Sequence, residues 1–342
     1  NADEEGILIQ DEFPIWYSHP ANWPAAITAD HLATEYRQWM EHRWNHPCVV
    51  IWDAQNETIN DGAILKAIAM VRGLDLSDRP WENGWGIAPR PDDVVERHPY
   101  RANRAEFSWP EFGRHSGIPS VPIREPGRVL RPPYIINEYG WLWINRDGSL
   151  PTLTTGVYAR LLGPNATVEE RRTYYARALA AMTEFWRARR RCAGVLHFCG
   201  LGYSRPDGQT SDNWLDVRRL QWEPQFHRYV RDAFAPVGVM LDWWTTSVVA
   251  NARMPIPVVV INDLDRPWAG TVTVELRDAT GVRRSQTRPV QVEALGTEVV
   301  SVEFVAPDTP GLYDLCATLA PSADGGSVRS WRNLSILTKP EP

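Results

Sequence analysis

Long apolar runs are missing from this chain. None of its 342 residues falls in an uninterrupted stretch of about 18 apolar side chains, the length a helix needs to cross a bilayer, so no membrane span is expected. Charge of one sign is not gathered anywhere either. The formal net charge is −6, acids and bases are interspersed, and no basic block of the kind that grips nucleic acid occurs. Cysteine is scarce, with 4 residues at positions 48, 192, 199 and 316. None forms a CxxC pair, so a zinc site is not expected. Cys48 and Cys199 lie in or beside strand-like runs, where a reduced, buried thiol is the default. His42 and His46 stand four apart, but no Glu follows His42 and Pro47 stops a helix, so no metal is expected there. Asn1–Gly6 have none of the features of a signal peptide.

What the chain does have is tryptophan, 17 residues of it. Indole rings fill cores, and they also stack on the apolar faces of sugars. The length suits about two domains. Residues 6–14 read as a short strand ending in acids. Residues 28–44 and 61–73 carry apolar side chains at helical spacing. Residues 48–55, 93–100, 134–138 and 193–199 read as short strands. The segment 167–190 reads as a helix opened by the capping box Thr167-Val168-Glu169-Glu170. A long loop rich in Pro, Trp and Gly spans 77–91, and a second irregular stretch spans 101–132. After about residue 245 only short strands and turns follow, at 257–261, 271–276, 290–292, 299–304, 313–317 and 331–337. The pattern predicts an α/β part over 1–244, built as a parallel barrel-like array, and an all-β part over 245–342, built as an Ig-like β-sandwich.

Two strand-like runs end abruptly in a carboxylate. One is His46-Pro47-Cys48-Val49-Val50-Ile51-Trp52-Asp53-Ala54-Gln55-Asn56-Glu57, the other Pro133-Tyr134-Ile135-Ile136-Asn137-Glu138-Tyr139-Gly140. A glutamate at the C-terminal end of a buried parallel strand stands where β/α barrels keep their active sites. A pair of them is the minimum equipment for cleaving a glycosidic bond. A single strand-end Glu would read as a solvated carboxylate; two beside polar and aromatic partners make Glu57 and Glu138 the candidate catalytic residues. The loop around Arg79-Pro80-Trp81-Glu82-Asn83-Gly84-Trp85 is either a wall of the sugar site, with Trp81 or Trp85 stacking, or a packed Ω-loop.

These segments resemble glycoside hydrolase family 2, the β-galactosidase, β-glucuronidase and β-mannosidase group. His46-Pro47 through Asn56-Glu57 resembles its acid/base segment, Asn137-Glu138-Tyr139-Gly140 its nucleophile segment, and Asp3-Glu4-Glu5-Gly6 through Glu12 its third barrel strand. The likeness covers about residues 1–205. It implies a retaining exo-β-glycosidase that needs no cofactor, with a terminal β-linked sugar as substrate. It further implies Glu57 as acid/base, Glu138 as nucleophile, Asn56 as the partner of the sugar 2-hydroxyl, and Tyr100 as the residue that holds the nucleophile. Tyr100 also reads as a plain rim aromatic. Glu12 and Asp11 match the acidic end of strand three, where they either bind sugar hydroxyls or orient neighbours. In the eighth strand, where the family commonly has Trp, this chain has His197. It is either a hydrogen-bond donor to substrate or a satisfied core histidine.

The same resemblance supplies only strands three to eight of an eight-stranded barrel. The expectation is therefore an incomplete (β/α)8 barrel followed by the sandwich, with N-terminal domains or a second chain as the partner that completes it. A catalytically inactive carbohydrate-binding barrel is the alternative from another class.

Overall fold

Backbone hydrogen bonding divides the parallel strands into two small sheets instead of one. The computed structural model describes residues 1–17, 19–58, 61–115, 123–125, 128–202, 212–321 and 325–338. The stretch 101–132 lies partly outside these described residues. The chain forms two units. The first is Asn1–His98, Pro119–Asn137 and Cys192–Gly194; the second is Pro99–Ile118, Glu138–Arg191 and Val195–Pro342.

In the first unit, α1 (Ala2–Glu5) is a single turn capped by Asn1. Strands β1 (Ile9–Glu12), β2 (Val49–Asp53) and β3 (Trp81–Glu82) form a parallel sheet in that order. Helix α2 (Ala29–Arg43) links β1 to β2, and α3 (Asp61–Val71) links β2 to β3. Thr28 caps α2 by accepting from the His31 backbone N–H. Leu32, Tyr36 and Met40 recur on one face of α2. They are buried with Val49, Trp52, Ile64, Ile68 and Trp81 in one core. The second sheet holds β4 (Val95–Arg97), β7 (Tyr134–Ile136) and β8 (Gly194–Val195), with the hairpin β5 (Ile123–Glu125) and β6 (Arg128–Leu130) inserted between β4 and β7.

The break between β3 and β4 has a local cause. Val94 N–H donates to the Trp81 carbonyl at 3.0 Å, but the neighbouring donors turn to side chains. Trp81 N–H donates to Asp93 Oδ1 at 2.9 Å, and Glu96 N–H donates to Glu82 Oε1 at 3.2 Å. Carboxylates thus take the place of the carbonyls that a continuous ladder would supply.

In the second unit, α4 (Trp109–Gly113), α5 (Thr152–Leu162), α6 (Val168–Arg189) and α7 (Pro224–Ala233) precede or flank the β-rich part. Helix α6 opens with the Thr167/Glu170 capping box and ends at Arg190, whose φ of 49° is left-handed. The hairpin β9 (Trp214–Asp216) and β10 (Gln221–Trp222) lies just before α7. Then come β11 (Val237–Leu241), β12 (Ser247–Val249), β13 (Arg253–Asn262), β14 (Trp268–Asp278), β15 (Gly281–Val292), β16 (Thr297–Val305), β17 (Gly311–Ala320) and β18 (Val328–Leu337). They form a three-stranded sheet, β11-β13-β16, and a five-stranded one, β12-β18-β17-β14-β15. Alternate residues of both sheets, among them Val258, Val260, Val272, Val274, Leu315 and Leu334, are buried in a common core, as the period-2 pattern of a half-buried strand demands. Two polar residues on the inward face of β18 serve α6: Ser330 and Arg332 both donate to the buried Glu184 carboxylate, at 2.7 and 2.9 Å.

The expected fold is corrected by this topology. Among the described residues the chain is mostly strands in several sheets with seven α-helices, and the alternation of a (β/α)8 barrel does not occur there. A sequence of short apolar strands separated by helices is necessary for a barrel but not sufficient. Closure needs every adjacent pair to share a ladder, and the side-chain carboxylates of Asp93 and Glu82 interrupt one. No helix separates β3 from β4, and β4 is followed by the one-turn helix α4 and a hairpin rather than by a crossover helix.

Candidate active site

Glu57 belongs to the first unit and is held by a tight turn beyond β2. Ala54 N–H donates to the Glu82 carbonyl at 3.0 Å, which continues the β2–β3 ladder one residue past the strand. Gln55 is fully buried, and its amide donates to Thr58 O at 2.8 Å and Asn83 O at 2.9 Å. Gly84 makes room for that amide: a Cβ there would lie 2.7 Å from Gln55 Nε2, and its φ is +51°. Thr58 Oγ1 donates to Asn56 O at 3.0 Å, and Asn56 N–H donates to Ile15 O at 2.8 Å. The turn so fixed leaves Glu57 at φ 48°, a conformation that costs a non-glycine residue about 1–2 kcal/mol. Strain of this kind persists only where the surroundings over-determine it, and it gathers at functional sites.

Two side chains grip the Glu57 carboxylate. Trp16 Nε1–H donates to Oε2 at 3.2 Å. His98 Nδ1 lies 2.8 Å from Oε1. The other nitrogen of that imidazole, Nε2, lies 3.1 Å from Glu96 Oε2. Trp85 stands edge-on to His98, ring centroids 6.0 Å apart, and keeps 42% of its surface exposed. Neither His98 nor Glu96 was indicated by the sequence as part of the site. The available signal was positional: Glu96, His98 and Tyr100 alternate along one strand-like segment, and period 2 puts such residues on one side.

Behind His98 lies a cluster of buried acids. Asp53, Glu82 and Glu96, all at most 1% exposed, bring one carboxylate oxygen each within 4.8 Å of the others. They come from β2, β3 and β4. Burial raises the Asp53 carboxyl to about 6, with the Glu96 charge adding to the rise and hydrogen bonds from Glu82 and Gln10 opposing it. Burial, together with Asp53 and Glu96, pushes Glu82 well above the usual carboxylate range. Gln10 Nε2 donates to Asp53 at 2.7 Å and Asn137 Nδ2 to Glu96 at 2.9 Å. A second group with ligand-type atoms joins Asp3, His46 and Cys48. There Asp3 is occupied structurally: it faces His46 Nδ1 at 2.7 Å and accepts from the Cys48 backbone N–H at 2.9 Å.

Glu138 belongs to the second unit. The Tyr100 hydroxyl donates to Glu138 Oε2. Tyr100 is itself fixed edge-on against Trp141 and Trp143, at 4.8 and 5.8 Å between centroids. The next residue, Tyr139, shares a 2.5 Å hydrogen bond with Thr183 of α6, and Trp143 Nε1–H donates to the Phe198 carbonyl at 3.2 Å. Trp141 and Gly140 are both at positive φ, 60° and 105°. The backbone therefore turns sharply just after the candidate nucleophile.

The remaining candidates separate. Trp81 is fully buried and packed against Tyr36, Trp39 and Trp52. Its faces have no room for a sugar, so of the two loop tryptophans only Trp85 is accessible. Asp11 faces Arg43 at 3.4 Å, and burial raises its carboxyl above the ordinary value despite that cation. Glu12, at the end of β1, is exposed and registers with Asp53. His197 lies between Phe226 and Phe234, at 5.5 and 6.1 Å, and burial lowers its pKa to about 4.

No family model matches the chain, and no curated protein matches it in sequence. Among solved structures it is similar to a CARDB domain from Pyrococcus furiosus, at 16% identity over 30% of this chain and 85% of that one, with a TM-score of 0.24. It is also similar to a family 123 glycoside hydrolase from Clostridium perfringens, at 10% identity over 29% of this chain and 23% of that one, with a TM-score of 0.24. A β-glucosidase from Listeria innocua matches at 12% identity over 31% of this chain and 16% of that one, with a TM-score of 0.25. The weak neighbours thus include glycoside hydrolases at low coverage, and the chain spans less than a quarter of either hydrolase.

Proposed function

We propose that this chain carries the catalytic residues of a retaining exo-β-glycosidase of the family 2 type. In this reading Glu138 attacks the anomeric carbon of a terminal β-linked sugar. Glu57 protonates the departing oxygen and then, as a base, activates the water that releases the sugar. The observation that carries the reading is the hydrogen bond from Tyr100 to Glu138. A carboxylate that accepts from a phenol packed edge-on against two indoles is held in a defined orientation. Asn56 supplies an amide for the sugar 2-hydroxyl, Trp85 an accessible ring for its apolar face, and Glu12 a carboxylate for further hydroxyls. His197 and Trp81 take no part. The chemistry needs no cofactor, because both proton transfers and the nucleophile come from side chains.

The test is turnover of a panel of 4-nitrophenyl β-glycosides (galactoside, glucoside, glucuronide, mannoside), with the anomer of the first product read by NMR. Release of the β-anomer from one of them is expected. Release of the α-anomer would replace double displacement by inversion. Binding of the same sugars without turnover would favour the carbohydrate-binding alternative. A crystal structure with a trapped glycosyl-enzyme should show the two carboxyl groups roughly 5–5.5 Å apart.

A further inference from the structure

His98 is 2% exposed and has a carboxylate at each ring nitrogen: Glu57 Oε1 at 2.8 Å from Nδ1 and Glu96 Oε2 at 3.1 Å from Nε2. Glu96 is one of three buried carboxylates, with Asp53 and Glu82. The chain of contacts Asp53–Glu82–Glu96–His98–Glu57 runs wholly within the first unit. It joins the floor of the two small sheets to the one side chain in this unit assigned a proton-transfer role. We propose that Glu96 and His98 are positioning residues for Glu57, with His98 acting as the bridge through which the buried acid cluster fixes the orientation and ionisation of the acid/base carboxyl. This rests on the glycosidase reading, since it deepens the assignment of Glu57.

The physical case is as follows. An acid/base residue must exist in both protonation states during one turnover. Its ionised form needs a donor that does not leave when the proton does. An imidazole with a carboxylate at each ring nitrogen is favoured as the imidazolium, in which both nitrogens donate and the ring orientation is fixed. Among the described residues the other donor to Glu57 is the Trp16 indole N–H, which is donor-only and fixed in state. The groups that face the bridge are named by the structure. Asp53 from β2, Glu82 from β3 and Glu96 from β4 are the acids. Arg97 interacts electrostatically with Glu96, Glu82 and Tyr134. Gln10 and Asn137 donate to the cluster, Tyr36 feels the Asp53 charge, and Trp85 lies edge-on to the imidazole. Several acids against one half-buried guanidinium leave the cluster with protons to share, and burial already raises Asp53 and Glu82.

The experiment compares wild type with His98→Leu, His98→Asn and Glu96→Gln, using the aryl glycoside that wild type cleaves and an analogue with a poor leaving group. The pH profile of kcat/KM is recorded for each. In parallel, 15N-histidine NMR follows the titration of the His98 ring in wild type, Glu96→Gln and Glu57→Gln, with His98→Asn identifying the resonance. His98→Leu should lower turnover of the poor substrate by about tenfold or more, out of the roughly 10²–10⁴ that general acid catalysis supplies. The activated substrate should lose much less. The basic limb of the profile should move to higher pH, because an ionised Glu57 has lost a donor. His98→Asn, which keeps an N–H near the Nδ1 position, should recover part of both effects. Glu96→Gln should give the same pattern at smaller amplitude, and should shift the His98 titration to lower pH. If the variants reduce both substrates equally with an unchanged pH profile, the residues are structural and the proposal falls. It also falls if the His98 titration is the same in wild type, Glu96→Gln and Glu57→Gln, whatever the kinetics show. Absence of any turnover by wild type would overturn the glycosidase reading itself, and the NMR titration would then still show whether the three residues are coupled.

Discussion

Tyr100 donates its phenolic hydrogen bond to Oε2 of Glu138 across 38 positions of sequence. Removing either member gives distinct outcomes. Glu138→Gly should abolish turnover, and azide should restore it by forming the glycosyl azide of inverted configuration. Tyr100→Phe keeps the ring and its packing on Trp141 and Trp143, but leaves the carboxylate without this donor. A hydrogen bond to a charged group is worth about 1.5–3 kcal/mol, so kcat should fall by about 10- to 100-fold with a small change in thermal stability. An equal loss of kcat and of folding stability would make Tyr100 a packing residue.

Glu57→Ala should spare activated substrates and cripple poor ones, because only a poor leaving group needs the proton. Azide should rescue this variant to a product of retained configuration. Measuring kcat/KM against leaving-group pKa reads the effect as a steeper slope than in wild type. Inverted azide product from Glu57→Ala, with retained product from Glu138→Gly, would exchange the two roles.

The left-handed backbone at Glu57, φ 48°, predicts an order of stability among inactive variants. Glu57→Gly and Glu57→Ala lose the same contacts to Trp16 and His98. Only glycine adopts this conformation without a Cβ penalty. Glu57→Gly should therefore be more stable than Glu57→Ala by about 1 kcal/mol, read from urea unfolding midpoints. Equal midpoints would show that the turn relaxes when the carboxylate is gone.

The Asp53 carboxyl, raised from 3.8 to about 6 mainly by burial, makes a pH prediction with a definite sign. Between these two values the folded state keeps a proton that the unfolded chain has released. Stability therefore falls as pH rises through the window, and the penalty is complete above about pH 6. Asp53→Asn keeps an acceptor for Gln10 and does not ionise. Relative to wild type it should gain stability as pH is raised from about 4 to 7, measured by urea unfolding at both ends. A variant less stable than wild type at pH 7 would mean that Asp53 is held ionised by a cation.

Much of the local structure was legible in the sequence. The helices over 28–44, 61–73 and 167–190 follow from apolar spacing and from caps at Thr28 and Thr167, and these features act within a few residues of each other. The short strands at Val49–Asp53, Val95–Arg97 and Tyr134–Ile136 follow from β-branched runs. Helices α5 and α7 were missed. Helix α5 starts after Pro151 and contains Gly156, so its pattern is weak; α7 starts with Pro224, and its cap is Glu223, whose carboxylate accepts from Phe226 N–H. Within the candidate site, Glu57 and Glu138 could be named because they close apolar runs, and Tyr100 through the family resemblance. His98 and Glu96 could not, because their significance lies in partners 41 positions away: Glu57 for His98, and Asn137 for Glu96. Trp81 illustrates an ambiguity that only packing resolves. Its Pro- and Gly-rich loop reads either as a wall of the site or as a packed Ω-loop, and Trp81 is buried in an aromatic cluster with Trp39 and Trp52.

The sequence by itself determined most of the strands and the longer capped helices of the first 200 residues, where the carboxylates stand on them, and that the last hundred residues are β-rich, since propensity, periodicity and capping are properties of neighbouring residues. Tertiary structure decided how strands join. Whether β3 and β4 share a ladder depends on Asp93 and Glu82 capturing the N–H groups of Trp81 and Glu96. That competition between side-chain and backbone acceptors is settled only when the chain has folded. The same holds for ionisation. Asp53, Glu82 and Glu96 are ordinary acids in the sequence, and only their convergence in a water-poor interior raises Asp53 and Glu82 and sets the Glu96 carboxylate on the side of His98 opposite Glu57.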